Sequence, residues 1–149
     1  MWTSQMIVLF VLAGSSLSSS LNTGVDTPSR NKRNSLQLCD IIQRNTRRNC
    51  LSYSFYGCFC GIRSWGSSPL DSSDSCCRQH DNCFSSIGRS GLPFLTYSYH
   101  CSGNSCQCTD SNRNSAQYRS CQCDVQLGQC LRNANYNILH NLYPRRRCR

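Results

Sequence analysis

Residues 76 to 84 read CCRQHDNCF, which places three cysteines, a histidine and an aspartate within nine positions. Histidine titrates near neutral pH and can take a proton from water. Aspartate can orient such a histidine or offer oxygens to a hard cation. Cysteine can ligate zinc, exchange electrons or form an inert cross-link. Three chemistries therefore compete for this stretch: a zinc knuckle, a thiol redox site, or a His/Asp pair held in place by disulfides.

The rest of the chain narrows the choice. Residues 1–20 hold an apolar run from Met6 to Ala13 followed by small residues, too short to span a bilayer and patterned like a secretory signal peptide. Residues 21–33 are polar and end in the pair Lys32-Arg33, which reads as a propeptide or a disordered leader. Residues 34–149 then form one small domain, and all 14 cysteines of the chain lie in it. An even cysteine number in a small extracellular chain implies a disulfide framework. Thiolates are consumed in such a compartment, and neither a paired CxxC set nor an HxxxH occurs. Zinc and redox chemistry are set aside on these grounds. Aliphatic residues are sparse, so bridges worth ~2–4 kcal/mol each, more than the core, are expected to set stability.

After residue 33 every basic residue is arginine and every acidic residue is aspartate, 13 against 6. Arginine binds phosphate with a bidentate fork, which suits anionic lipid surfaces or polyanions. The densest cluster is PRRRCR at the C-terminus. A merely solvated basic surface stays open as the plainer reading, and no nucleic-acid partner is expected.

Several elements must position these groups. SLQLCDIIQR spaces Leu38, Ile41 and Ile42 as one face of a short helix, with Ser35 as its cap. YGCFCGIRSWGSSPLDSSD is rich in Gly, Ser, Pro and Asp and reads as a loop. A helix capped by Ser72, Ser73 or Asp74 is predicted to run to about Ser86, and a second from about Ala116 to Asn133. Between them RSGLPF reads as a turn and LTYSYHC as a short strand.

The spacing within the two long helices is informative. Cys76 and Cys83 are seven apart on one helix, as are Cys123 and Cys130 on the other. Pairing Cys76 with Cys130 and Cys83 with Cys123 gives residue numbers with the same total, as an antiparallel pair stapled twice requires. At ~100° per residue His80 lies about 40° from Cys76 and faces the partner helix near Asp124. Asp81 points about 100° away, on the side of Cys77.

CCRQHDNC, with YGCFCG upstream and CQCDVQLGQC downstream, resembles the secreted phospholipase A2 family, and YSYHC matches a further segment of its pattern. The likeness covers residues 34–149. It implies a mainly α, disulfide-rich fold: a short N-terminal helix, a calcium-binding loop, two long antiparallel helices cross-linked by disulfides, and a small β-wing. It also implies the bridges 76–130, 83–123, 60–77 and 58–148, that is Cys76 with Cys130, Cys83 with Cys123, Cys60 with Cys77 and Cys58 with Cys148. Cys121 is expected to pair with Cys106 or Cys108. The resemblance assigns His80 as general base, Asp124 as its partner and Tyr97 as support to Asp124. Asp81 and the carbonyls of Phe59, Gly61 and Arg63 would hold Ca²⁺, with the Gly61 N–H at the oxyanion. His100 and His140 match no motif and read as surface residues, and Trp65 could insert into lipid or pack locally.

Two departures from the family pattern bear on function. After Gly61 the family continues x-Gly-Gly, where this chain has Ile62-Arg63-Ser64, and one residue is inserted before Pro69. Glycines there permit φ > 0 and close approach of carbonyls to the ion, so side chains at 63 and 64 are expected to weaken calcium binding. Phe84 stands where the family usually has a tyrosine that supports the aspartate. The reading from these residues is a secreted, calcium-dependent phospholipase that cleaves the sn-2 ester of glycerophospholipids at a membrane surface. The alternative is the same scaffold used as a binder of anionic lipid, a receptor or a polyanion. A cysteine-rich signalling ligand would explain the bridges but not the His/Asp geometry.

Overall fold

The computed structural model describes residues 30–61, 64, 66–88 and 95–148, with side chains from Ser35 onward. The signal segment 1–20, most of the leader, Arg63, Trp65 and the whole RSGLPF turn lie outside the described residues.

Helix α1 spans Arg30–Thr46. No glycine or proline interrupts that stretch, so nothing stops the helix at its polar start. Ser35 consequently stands inside it and not at its cap, and the element is 17 residues long, not short. Ile41, Ile42 and Asn45 bury its inner face. Helix α2 spans Ser72–Ile87 and is capped one residue earlier than expected, by the Asp71 carboxylate, which accepts the Asp74 N–H at 2.9 Å. Helix α3 spans Ala116–Asn133, with Ser115 Oγ accepting the Tyr118 N–H at 3.1 Å. Strands β1 (Tyr99–Ser102) and β2 (Ser105–Cys108) form an antiparallel hairpin with Cys101 opposite Cys106. Pairing begins at Tyr99, so the first residues of LTYSYHC stay outside the ladder.

Helices α2 and α3 lie side by side. Cys76–Cys130 and Cys83–Cys123 hold them with Cα atoms 5.7 Å apart in each case. Equal separations two turns apart are what adjacent antiparallel helices give. Helix α1 crosses α3 at Gly128, where a Cβ would come within 2.8 Å of Ile41 and Asn45. Any side chain there would push the helices apart.

The remaining bridges are Cys39–Cys50, Cys58–Cys148, Cys60–Cys77, Cys101–Cys106 and Cys108–Cys121. No cysteine is free. Cys121 thus takes Cys108 of its two expected partners, because Cys106 is used across the hairpin. The core splits into a larger cluster around Ile42, Tyr53, Tyr56, Leu127 and Leu131 and a smaller one around Ile41, Tyr97 and Val125. Among the described residues no helix is long and apolar enough to cross a membrane.

Candidate active site

The stapled helix pair brings His80 of α2 to Asp124 of α3, with Nε2 2.7 Å from Asp124 Oδ1. Asp124 is fully buried, and its other oxygen accepts the Tyr97 hydroxyl at 2.5 Å. Burial, and then the Asp124 charge beside it, push the Tyr97 hydroxyl well above its usual range. It therefore stays protonated and donates. A buried carboxylate engaged on both oxygens is held in one orientation, and it in turn fixes the histidine ring. Phe84 lies edge-on to His80, ring centroids 4.9 Å apart. It supplies an apolar wall where a tyrosine would have supplied a hydroxyl.

Asp81 follows His80 on the helix but faces the loop, as the angular reading expects. The Ser64 hydroxyl meets Asp81 Oδ2 and lies 3.2 Å from the Phe59 carbonyl. Burial holds the Asp81 carboxyl above its usual range, against the smaller opposing pull of Ser64, His80 and Arg145. Gly61 sits beside this group at φ +101°, and a Cβ on it would fall 1.9 Å from the Ser54 carbonyl. Only glycine fits there.

Two side chains that the sequence reading left out of the site hold this loop, one through its N–H groups and one through its carbonyls. Asp74, fully buried in the first turn of α2, accepts the N–H groups of Cys58 (3.0 Å), Phe59 (2.7 Å) and Leu70 (2.9 Å). Arg145, from the C-terminal cluster, donates to the carbonyls of Cys58 (3.4 Å) and Cys60 (3.2 Å). The Phe59 carbonyl between them is the one that reaches the Ser64 and Asp81 group. Asp74 read as no more than a possible cap; its signal was the rarity of acids, two of six standing just ahead of the CC pair. Nothing in the local pattern singled Arg145 out from its neighbours.

The donor set around Asp81 suits a hard cation. It holds a carboxylate, a carbonyl and a hydroxyl, all oxygen. Among the described residues no three His, Cys, Asp or Glu side chains gather as a metal cluster. A cation here would rest on one carboxylate and neutral oxygens.

His80, Asp81, Asp124 and Gly61 all line one cavity of about 700 Å³, whose walls include Leu38, Ile42, Tyr53, Phe84 and Leu127. Polar groups that can activate water thus stand at the side of an apolar channel. His100 is exposed on β1. His140 is not the plain surface residue expected: its Nδ1 lies 2.6 Å from Asp71 Oδ2, which also accepts the Tyr56 hydroxyl at 2.5 Å. Its backbone carbonyl accepts the Gly57 N–H, so the tail is tied to the loop.

A histidine held by a buried aspartate stands beside an oxygen-lined seat and an apolar cavity. Comparison with known proteins identifies the family. The phospholipase A2 family model matches residues 35–141. "Phospholipase A2, membrane associated" of Mus musculus is 40% identical over 121 residues, covering 78% of this chain and 82% of its own. The protein of the same name from Rattus norvegicus is 35% identical over 113 residues, covering 73% and 76%. The chain belongs to the phospholipase A2 family.

Proposed function

We propose that the chain is a secreted, calcium-dependent phospholipase A2 that hydrolyses the sn-2 ester of glycerophospholipids to a lysophospholipid and a fatty acid. The observation that carries this reading is the 2.7 Å contact between His80 Nε2 and the buried Asp124, at the edge of the cavity that Asp81 shares. With Nε2 engaged, Nδ1 is the nitrogen left to take a proton from water as that water attacks the ester carbonyl. Asp124 holds the ring in the tautomer this needs and stabilises the imidazolium that forms. The same His80 proton then passes to the leaving glycerol oxygen. The Gly61 N–H is the donor for the developing oxyanion. Asp81 and the carbonyls of Phe59, Gly61 and Arg63 would hold Ca²⁺, which when bound supplies Lewis-acid polarisation of the ester and a counter-charge for the substrate phosphate.

The membrane surface is the proposed partner. Leu51, on the cavity rim, is 69% exposed, and Leu36 and Phe55 stay exposed next in sequence to the lining residues Ser35 and Ser54. Together with the arginine excess they favour peripheral docking on anionic lipid. Fourteen cysteines all engaged in bridges fit an oxidising, extracellular compartment. Residues 1–20 would direct export, and 34–149 would be the working domain.

Fatty-acid release from anionic vesicles, with and without Ca²⁺ and beside His80→Gln, tests the reading. Calcium-dependent release by the wild type alone is expected. Vesicle binding with no release above the variant would leave the scaffold as a lipid binder.

A further inference from the structure

Ser64 stands where the family pattern has glycine, and on sequence grounds its side chain should only obstruct the loop. Its placement says otherwise. The hydroxyl meets Asp81 Oδ2 and lies 3.2 Å from the Phe59 carbonyl, so it is gathered with two of the oxygens that would hold the cation. Oxygens that share a calcium at 2.3–2.6 Å sit about 3 Å from one another, which is the spacing of Ser64 and Phe59. The loop also needs such an oxygen. Calcium takes six to eight ligands, and the neighbouring carbonyls of Cys58 and Cys60 are turned away to Arg145.

We propose that Ser64 supplies a side-chain oxygen ligand to the cation held at Asp81, in place of what the missing glycine would have allowed the backbone to offer. This rests on the calcium site proposed above. A hydroxyl carries one proton and two lone pairs. Without the ion it donates to an oxygen neighbour; with the ion a lone pair faces the metal and the proton turns outward. The same contacts would suit the opposite role, a plug that competes with the cation, and the two roles predict opposite effects of removing the hydroxyl.

The test uses the intact disulfide-bonded chain, with Ca²⁺ titrated by calorimetry and bound water counted from Tb³⁺ luminescence lifetimes in H₂O and D₂O. Ser64→Ala should weaken Ca²⁺ binding about fivefold to tenfold and add about one water to bound Tb³⁺, whereas Ser64→Thr should keep both near wild type. Circular dichroism in chelator separates ligand loss from misfolding. Unchanged or tighter Ca²⁺ binding in Ser64→Ala overturns the proposal and leaves the calcium site standing. Equal losses in the alanine and threonine variants overturn it too, since the hydroxyl would then not be the cause. A wild type that binds no Ca²⁺, or an Asp81→Asn variant that binds as well as wild type, overturns the calcium site and this proposal together.

Discussion

Two clusters in this molecule share one composition: Tyr97–Asp124–His80 and Tyr56–Asp71–His140. In each a tyrosine donates to the aspartate at 2.5 Å and a histidine nitrogen lies 2.6–2.7 Å from it. Their surroundings differ. Asp124 is fully buried, and its two oxygens serve one partner each. His80 lines the cavity with its remaining nitrogen unengaged by Asp124. In the second cluster both partners crowd Asp71 Oδ2, and His140 is absent from the cavity wall. There the histidine's backbone carbonyl binds Gly57, and the cluster fastens the tail to the loop. The pair geometry is therefore common to both clusters; what differs is what the free edge of the histidine faces.

Exchanging residues between the two roles should separate them. His80→Gln is expected to lower kcat for fatty-acid release by about 10²- to 10⁴-fold with little change in unfolding midpoint, the loss of a general base. A variant that retains a tenth of the activity would collapse the distinction. Asp74→Asn, which disturbs three backbone contacts to a buried carboxylate, should cost about 2–4 kcal/mol in denaturant unfolding and weaken Ca²⁺ binding, because the loop loses its inner support. His140→Gln should do the reverse of His80→Gln: activity within about threefold of wild type and roughly 1 kcal/mol of stability lost, as for one surface-accessible contact. Equal falls in activity for the two histidine variants would mean that the tail cluster acts on the reaction. The smallest contrast lies in the tyrosines. Tyr97→Phe should lower kcat about tenfold through a looser Asp124, while Tyr56→Phe should cost about 1 kcal/mol of stability at unchanged kcat.

The helix pair was legible from spacing alone. A period of 3.6 residues makes cysteines seven apart share a face, so the staples and the His80–Asp124 meeting follow once both segments are helical. The loop was not legible in the same way. Its donors are backbone groups, whose direction depends on φ and ψ and carries no residue type. Ser64 illustrates the limit: as a letter it is a lost glycine, and in the fold it is an oxygen beside Asp81. Asp74 read as a possible cap and Asp71 as part of the loop, and only the packing of α2 against the loop gave one the Cys58 and Phe59 amides and the other the cap and the tail.

By itself the sequence determined the chemistry available: fourteen cysteines all able to pair, one histidine between two staples, one aspartate on each face that matters, and an arginine excess suited to phosphate. These follow from residue type and helical period, which are local. The tertiary structure alone decided that Arg145 takes the Cys58 and Cys60 carbonyls, that Cys121 takes Cys108, and that one of two Tyr–Asp–His clusters opens on a cavity. Each depends on groups more than ten residues apart meeting in space, and no local pattern encodes such a meeting.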